Sequence, residues 1–290
     1  MAGAKEIRKR ISAVKNTKKI TRTMEMVSTA KSKRMIDRVK AAKPYGMKIA
    51  EIINSLSDQR ESTDSPLMRS LEHPKAVALL VVTANRGLCG AYNTNILKMT
   101  RNRIEDYRKR GIDVKVYVVG KKGIGFFRFI KFSLQAKYDT VDDALKFSTA
   151  EAIAYDLMNA FVNHEVDRVE IVSTVYHGSS RQTAEVTQLL PLGSASGDAK
   201  KGGKSVNAIY EPQPDIILKK LLPLMIKTTL FRLLLEALAA EHIYRRVAMK
   251  SATDSAGQMV KMLVRNYNRV RQASITQELS EIVAGADAIS

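Results

Sequence analysis

The sequence predicts an α+α/β protein in which long N- and C-terminal helices form an antiparallel coiled coil around an inserted Rossmann-like parallel-sheet α/β domain. Three observations carry the prediction. Residues 1–57 hold no proline before Pro44 and no glycine between Gly3 and Gly46, and their apolar residues recur at helical spacing. From 76 to 211 short apolar runs alternate with amphipathic segments, as βαβ units do. Helical periodicity then returns at 212 and persists nearly to 290. The boundaries expected are a helix over 1–57, a linker over 58–75, the α/β domain over 76–211 and a second helix over 212–290.

The first helix places Ile7, Ile11, Val14, Ile20, Met24, Val27, Met35, Val39, Ala42, Ile49, Ile53 and Leu56 close to a heptad seam, broken by Lys18, Thr21, Glu25 and Ser28. At 1.5 Å per residue it would run about 80 Å. It holds fifteen Lys or Arg against four Asp or Glu, or +11 of the total +19. The linker DQRESTDSPLMRSLEHPK is polar and has two prolines.

The α/β domain begins with AVALLVV (76–82), a run apolar enough for a strand buried on both faces. NRGLCG then makes a strand-to-helix turn into a helix over 94–111, with Ile96, Leu97, Ile104 and Tyr107 on one stripe and Gly111 as its stop. DVKVYVVG (113–120), a helix near 142–165, DRVEIVSTVYHG (167–178) and EVTQLLPL (185–192) complete the alternation. GSASGDAKKGGKS (193–205) reads as a surface loop. Pro214 suits a helix start and Pro223 a kink or restart. Beyond it Leu224, Phe231, Leu235, Leu238, Met249, Ala252, Ala256, Met259, Leu263, Val270 and Ala273 keep heptad spacing, with polar gaps at Thr228, His242, Arg245 and Asn266. A small α/β core cannot bury both stripes, so the two helices are expected to bury each other.

Composition narrows the partners. A net charge of +19 points to something acidic: nucleic acid, an anionic surface or an acidic protein face. One cysteine excludes an intramolecular disulfide framework, and four scattered histidines lack zinc spacing. Arg232 and Glu236 interrupt the longest apolar stretch, so no membrane span is expected, and the N-terminus has neither the apolar core nor the cleavage site of a secretory signal.

No motif carries chemistry. NRGLCG lacks the Lys-Ser/Thr ending of a phosphate loop and the third glycine of a dinucleotide fingerprint, so Cys89 is expected as a small buried hydrophobe. GKKGIGFF (120–127) follows a strand but has no closing hydroxyl, and is expected to be a surface turn. Residues 1–43 contain no aromatic side chain, which favours an acidic protein partner over nucleic acid. The end IVAGADAIS is apolar and nearly charge-free, suited to a partner's cavity.

Three stretches together, AKEIRKRISAVKNTKKITRTMEMVSTAK, NRGLCGAYN and VAMKSATDSAG…NYNRVRQASITQELSEIVAGA, resemble the gamma subunits of F-type ATP synthases, and the resemblance spans essentially the whole chain. It implies a central rotor shaft with no cofactor and no catalytic site of its own. The implied partners are three alpha and three beta subunits, the epsilon subunit and the c-subunit ring, at the cytoplasmic face of the membrane. It also implies that Met24, Arg245, Gln272 and Thr276 contact the alpha and beta subunits, and that Tyr210 and Glu211 face the c ring or epsilon. Ser255 stands where relatives often have Asn, and the dithiol insert of chloroplast relatives is absent. Two competing readings are a basic coiled coil that binds nucleic acid and a cysteine-dependent α/β hydrolase.

Overall fold

A computed structural model describes residues 2–57, 65–69, 71, 73–178, 181–192 and 214–287. The expected loop at 193–205 and most of the linker lie outside them. The chain forms two compact units, residues 1–29 with 245–290, and residues 30–244.

In the larger unit the strands are β1 (Ala76–Val82), β2 (Asp113–Val119), β3 (Ala136–Tyr138), β4 (Arg168–Tyr176) and β5 (Gln182–Leu190), in the order β3-β2-β1-β4-β5. Successive strands are linked by α2 (Tyr92–Lys109), α3 (Lys121–Phe129) and α4 (Phe147–Val162). The first four strands run parallel, as expected. β5 corrects the all-parallel expectation by pairing antiparallel to β4. The reason lies in the connection. His177 to Arg181 closes a hairpin with the His177 N–H donating to the Arg181 carbonyl, and a parallel return would need a crossover of a dozen or more residues.

Alternation along β1 builds two cores. Ala78, Leu80 and Val82 face one side with Ile153, Leu157 and Phe161 of α4, while Leu79 and Val81 face the other with Ile96 and Ile104 of α2 and Phe127 of α3. Helix α2 buries Tyr92, Ile96, Thr100, Ile104 and Tyr107, one stripe at three- and four-residue steps. It stops where Gly111 turns to φ 71°, and the Ile112 and Gly111 N–H groups cap the Tyr107 and Arg108 carbonyls.

GKKGIGFF is not a surface turn: it forms the start of α3, with Gly123 and Phe127 buried. Here glycine is obligatory. A Cβ on Gly120, at φ 96°, would stand 2.1 Å from the Thr83 carbonyl oxygen, and one on Gly123 would stand 2.7 Å from the Thr83 hydroxyl. These glycines let β1 and α3 touch. The short β3 was not anticipated, and α4 begins at Phe147 rather than near 142.

Helices α1 (Ala2–Ser57) and α5 (Pro214–Asp287) are each single elements, and α5 passes through Pro223 instead of restarting there. Their stripes within the larger unit also depart from expectation. Met35, Val39, Ile49 and Ile53 of α1 and Leu218 to Ala239 of α5 share one core with the α4 face of the sheet. The apolar positions there serve both helix–helix and helix–sheet packing, so the sheet covers more helix than its size suggested.

Candidate functional site: the paired terminal helices

In a doubly wound sheet a ligand binds in the crevice where strand order reverses, here beyond the C-terminal ends of β1 and β4. This chain closes that crevice with its own residues. Ala240 of α5 packs beside Cys89 and Tyr92, and the Tyr244 ring meets Tyr92 edge-on at 5.9 Å. The Tyr244 hydroxyl donates to the Gln182 carbonyl at 3.2 Å, and the Tyr176 N–H donates to Glu236 Oε2 at 3.4 Å.

The N-terminus of α3 offers no anion cradle either. Its N–H groups are already engaged: Lys121 with Asn85 Oδ1, Lys122 with the Ala84 carbonyl and Gly123 with Thr83 Oγ1. Cys89 is 2% exposed, and its sulfur accepts a hydrogen bond from Asn93 Nδ2 at 3.2 Å. The thiol is a wall of the core, as expected, and not an open nucleophile. His164 sits at φ 58°, where the α4 helix ends, and is engaged by Arg69.

A second candidate surface lies in the smaller unit, residues 1–29 with 245–290. Thr253 Oγ1 donates to Thr21 Oγ1 at 2.9 Å, and Lys18 Nζ lies 3.3 Å from where a Gly257 Cβ would stand. As numbers fall along α1 they rise along α5, so the two segments run antiparallel. The polar residues that break the α1 stripe occupy the seam itself: Lys18, Thr21, Glu25 and Ser28 continue the three- and four-residue steps from Ile7, Ile11 and Val14. On α5, Met249, Thr253 and Ala256 are buried. Met259 and Ala273 were expected on the seam but are exposed, while Val260, Leu263, Val270 and Ser274 are half-buried. Met249, Ala256, Leu263 and Val270 keep the seven-residue repeat; the second line of the seam runs through Thr253, Val260, Tyr267 and Ser274, one position on from Ala252, Met259 and Ala273, because the polar Thr253 rather than Ala252 meets Thr21.

This register places the start of α1 near residue 270 of α5. Beyond that point α5 continues as one helix to Asp287, and Ile275, Leu279, Ile282 and Val283 are exposed, Leu279 at 58% and Ile282 at 67%. Charge divides along the same direction. Residues 1–29 carry eight Lys or Arg and two Glu, whereas 272–290 carry no basic residue and three acidic ones.

A family model described as ATP synthase matches residues 3–289. The ATP synthase gamma chain of Leptospira biflexa is 50% identical over 290 residues, covering 100% of both chains. The chain belongs to the ATP synthase gamma-chain family. The gamma chain of Gemmatimonas aurantiaca is 40% identical over 289 residues, with 100% of this chain and 99% of that one covered.

Among solved structures the fold matches a chain in the rotor of the Euglena gracilis mitochondrial ATP synthase, with a TM-score of 0.67 at 19% identity over 94% of this chain and 99% of that one. A chain in the OSCP/F1/c-ring assembly of the same enzyme matches with a TM-score of 0.69 at 18% identity, covering 99% and 95%.

Within this gamma-family chain the residues singled out from sequence do not form one cluster. Met24 is half-buried on α1, and Arg245 is 7% exposed at the other end of the paired α5 segment. Gln272 and Thr276 are exposed one turn apart, with the Thr276 hydroxyl donating to the Gln272 carbonyl at 3.0 Å. Arg245 and Gln272 are separated by about 40 Å of helix. Tyr210 and Glu211 lie outside the described residues. Sequence reading missed the exposed apolar residues Ile275 and Leu279; that α1 runs out near residue 270 of α5 could have been found only from the pairing register.

Proposed function

We propose that this chain is the central rotor shaft of an F-type ATP synthase, with no catalytic site of its own. It couples ion-driven rotation of a membrane c ring to ATP synthesis or hydrolysis at the beta subunits of the alpha–beta hexamer. The observation that carries the reading is the antiparallel pairing of the two chain ends, with a single apolar helix continuing past the pair. A shaft can bias three chemically identical beta subunits toward different states only through unequal contacts, since a partner shifts an equilibrium by its differential affinity alone. Two helices of different sequence present unequal sides by construction.

Met24, Gln272 and Thr276 are the proposed contacts with alpha and beta subunits; Arg245, mostly covered within the chain, is the minor one. The basic α1 surface suits an acidic partner face. The apolar end of α5 suits a close-fitting socket in the hexamer. Tyr210 and Glu211 are proposed to face the c ring or epsilon. No described helix is long and apolar enough to cross a membrane, and we place the chain peripherally at the cytoplasmic face, held through the c ring. The proposed division of labour is a helix over 1–57, a linker over 58–75, an α/β domain over 76–211 and a helix over 212–290.

Co-expression with alpha and beta subunits tests the reading. The expected result is one copy of this chain per three of each, and truncation after residue 274 should weaken rotation or assembly while the 30–244 unit unfolds as before. A chain that joins no such complex, or binds duplex DNA tightly with a steep salt dependence instead, would overturn it.

A further inference from the structure

The two edges of the sheet are built differently. β3 is three residues long with Lys137 at its centre, a short and charged edge of the kind that discourages pairing. β5 is nine residues long, QTAEVTQLL, with no lysine and no proline and with Glu185 as its one charge.

The register states which groups of β5 are open. The His177 N–H donates to the Arg181 carbonyl, so residues 177 and 181 form a hydrogen-bonded pair. Antiparallel pairs alternate, and Val175 with Thr183, Ser173 with Glu185 and Ile171 with Thr187 are therefore also hydrogen-bonded. Gln182, Ala184, Val186 and Gln188 then turn their N–H and C=O groups away from β4. The Tyr244 hydroxyl takes the Gln182 carbonyl, which confirms that this side faces outward. Among the described residues nothing meets the outward main-chain groups of Ala184, Val186 and Gln188. An apolar patch could take many partners, but a row of alternating donors and acceptors at strand spacing is matched by another strand.

We propose that the open edge of β5 receives an extended strand from another polypeptide of the rotor, a reading that rests on the rotor function above. Side chains set its character. Ala184 and Val186 are half-buried on the α2 face of the sheet beside Tyr244, while Thr183, Glu185 and Thr187 lie on the other face. The incoming strand therefore alternates, with apolar residues continuing the Ala184 and Val186 face and polar ones beside Thr183, Glu185 and Thr187.

Amide hydrogen exchange, read residue by residue in the isolated chain and in the purified ATP synthase, tests this. The Ala184, Val186 and Gln188 amides should exchange rapidly in the isolated chain and at least about 100-fold more slowly in the assembly, a change expected of amides brought into a ladder. Val186→Pro removes an outward donor and spares the ladder to β4, so beside a Val186→Ala control that also gives up the half-buried side chain it should show the same urea midpoint, while its retention of the strand-donating subunit falls about 10-fold below that control. Thr187→Pro, which removes an inward donor, should lower the midpoint.

Fast exchange of the three amides within an intact assembly would overturn the proposal and leave the rotor reading standing. Slow exchange already present in the isolated chain would also overturn it, since the edge would then be closed by this chain or by a second copy. Failure of the chain to enter any ATP synthase assembly would sink both readings.

Discussion

Glu170→Ala should destabilise the 30–244 unit more than most single substitutions. Glu170 lies on the interior strand β4 at 3% exposure and accepts three hydrogen bonds: Arg103 Nε at 2.9 Å, Arg103 Nη2 at 2.6 Å and the Tyr107 hydroxyl at 2.6 Å. The Arg103 guanidinium also lies 4.6 Å from the Tyr107 ring centroid. Burial and the bond to Glu170 push the Tyr107 hydroxyl up to about 12. Removing the carboxylate strands a cation and a buried phenol without an acceptor, at a cost of about 3–5 kcal/mol. Arg103 keeps 30% of its side chain exposed, so water can reach part of it and the lower end of that range applies. For a unit of this size each kcal/mol moves the thermal midpoint about 2–4 °C, so a fall of about 6–12 °C is expected. The chain has ten tyrosines and no tryptophan, so near-ultraviolet tyrosine circular dichroism during urea and thermal unfolding reports the transition. Replacing all three residues together, as Glu170→Leu with Arg103→Leu and Tyr107→Phe, should recover most of the loss, because no orphaned group remains. A loss under about 1 kcal/mol in the single variant would refute the reasoning, as would a triple variant weaker than the single one.

Thr228→Val should stabilise the chain by about 1–2 kcal/mol, measured as a higher urea midpoint, because it deletes a buried hydroxyl with no hydrogen-bond partner among the described residues, at a site where the Thr228 methyl would stand 3.6 Å from a Cβ placed on Gly46. Asp143 joins α1 to α5 through Lys31 Nζ at 2.6 Å and His242 Nε2 at 2.5 Å, and the His242 bond, then the Lys31 bond, hold its carboxyl well below the usual carboxylate range. A depressed carboxylate adds stability that is present above about pH 4 and lost as pH falls through its folded value; the midpoint gap between wild type and Asp143→Asn should therefore narrow steadily on acidification below pH 4. Cys89→Ser should leave ATP hydrolysis by the assembled complex intact, with a stability loss of about 1 kcal/mol seen in thermal unfolding.

The elements written most plainly in the sequence were those whose periodicity reflects burial on known faces. AVALLVV could be only a strand covered on both sides, and the steps from Ile7 to Leu56 only a long helix. GKKGIGFF misled because its glycines resemble turn punctuation; they are there because Thr83 comes too close for a side chain, a tertiary fact with no local signature. The direction of β5 depended on a hairpin only a few residues long, and the reading of EVTQLLPL started three residues late. The polar seam residues were visible as breaks, but that Thr21 meets Thr253 required the register. Met259 and Ala273 lie one position off the seam because its second line starts at the polar Thr253 rather than at Ala252, and apolar residues alone do not mark it.

The central claim is that the two ends of this chain act as one body, and a cross-link tests it most directly. With Cys89 replaced by Ser, a Thr21→Cys, Thr253→Cys variant places two thiols where hydroxyls now lie 2.9 Å apart, close enough for a bond of about 2.0 Å after small rotamer changes. Oxidation within the purified ATP synthase should join them, and rotation driven by ATP hydrolysis should continue at the rate of the reduced enzyme. Failure of the thiols to join, or a joined shaft that halts in an intact assembly, would contradict the account.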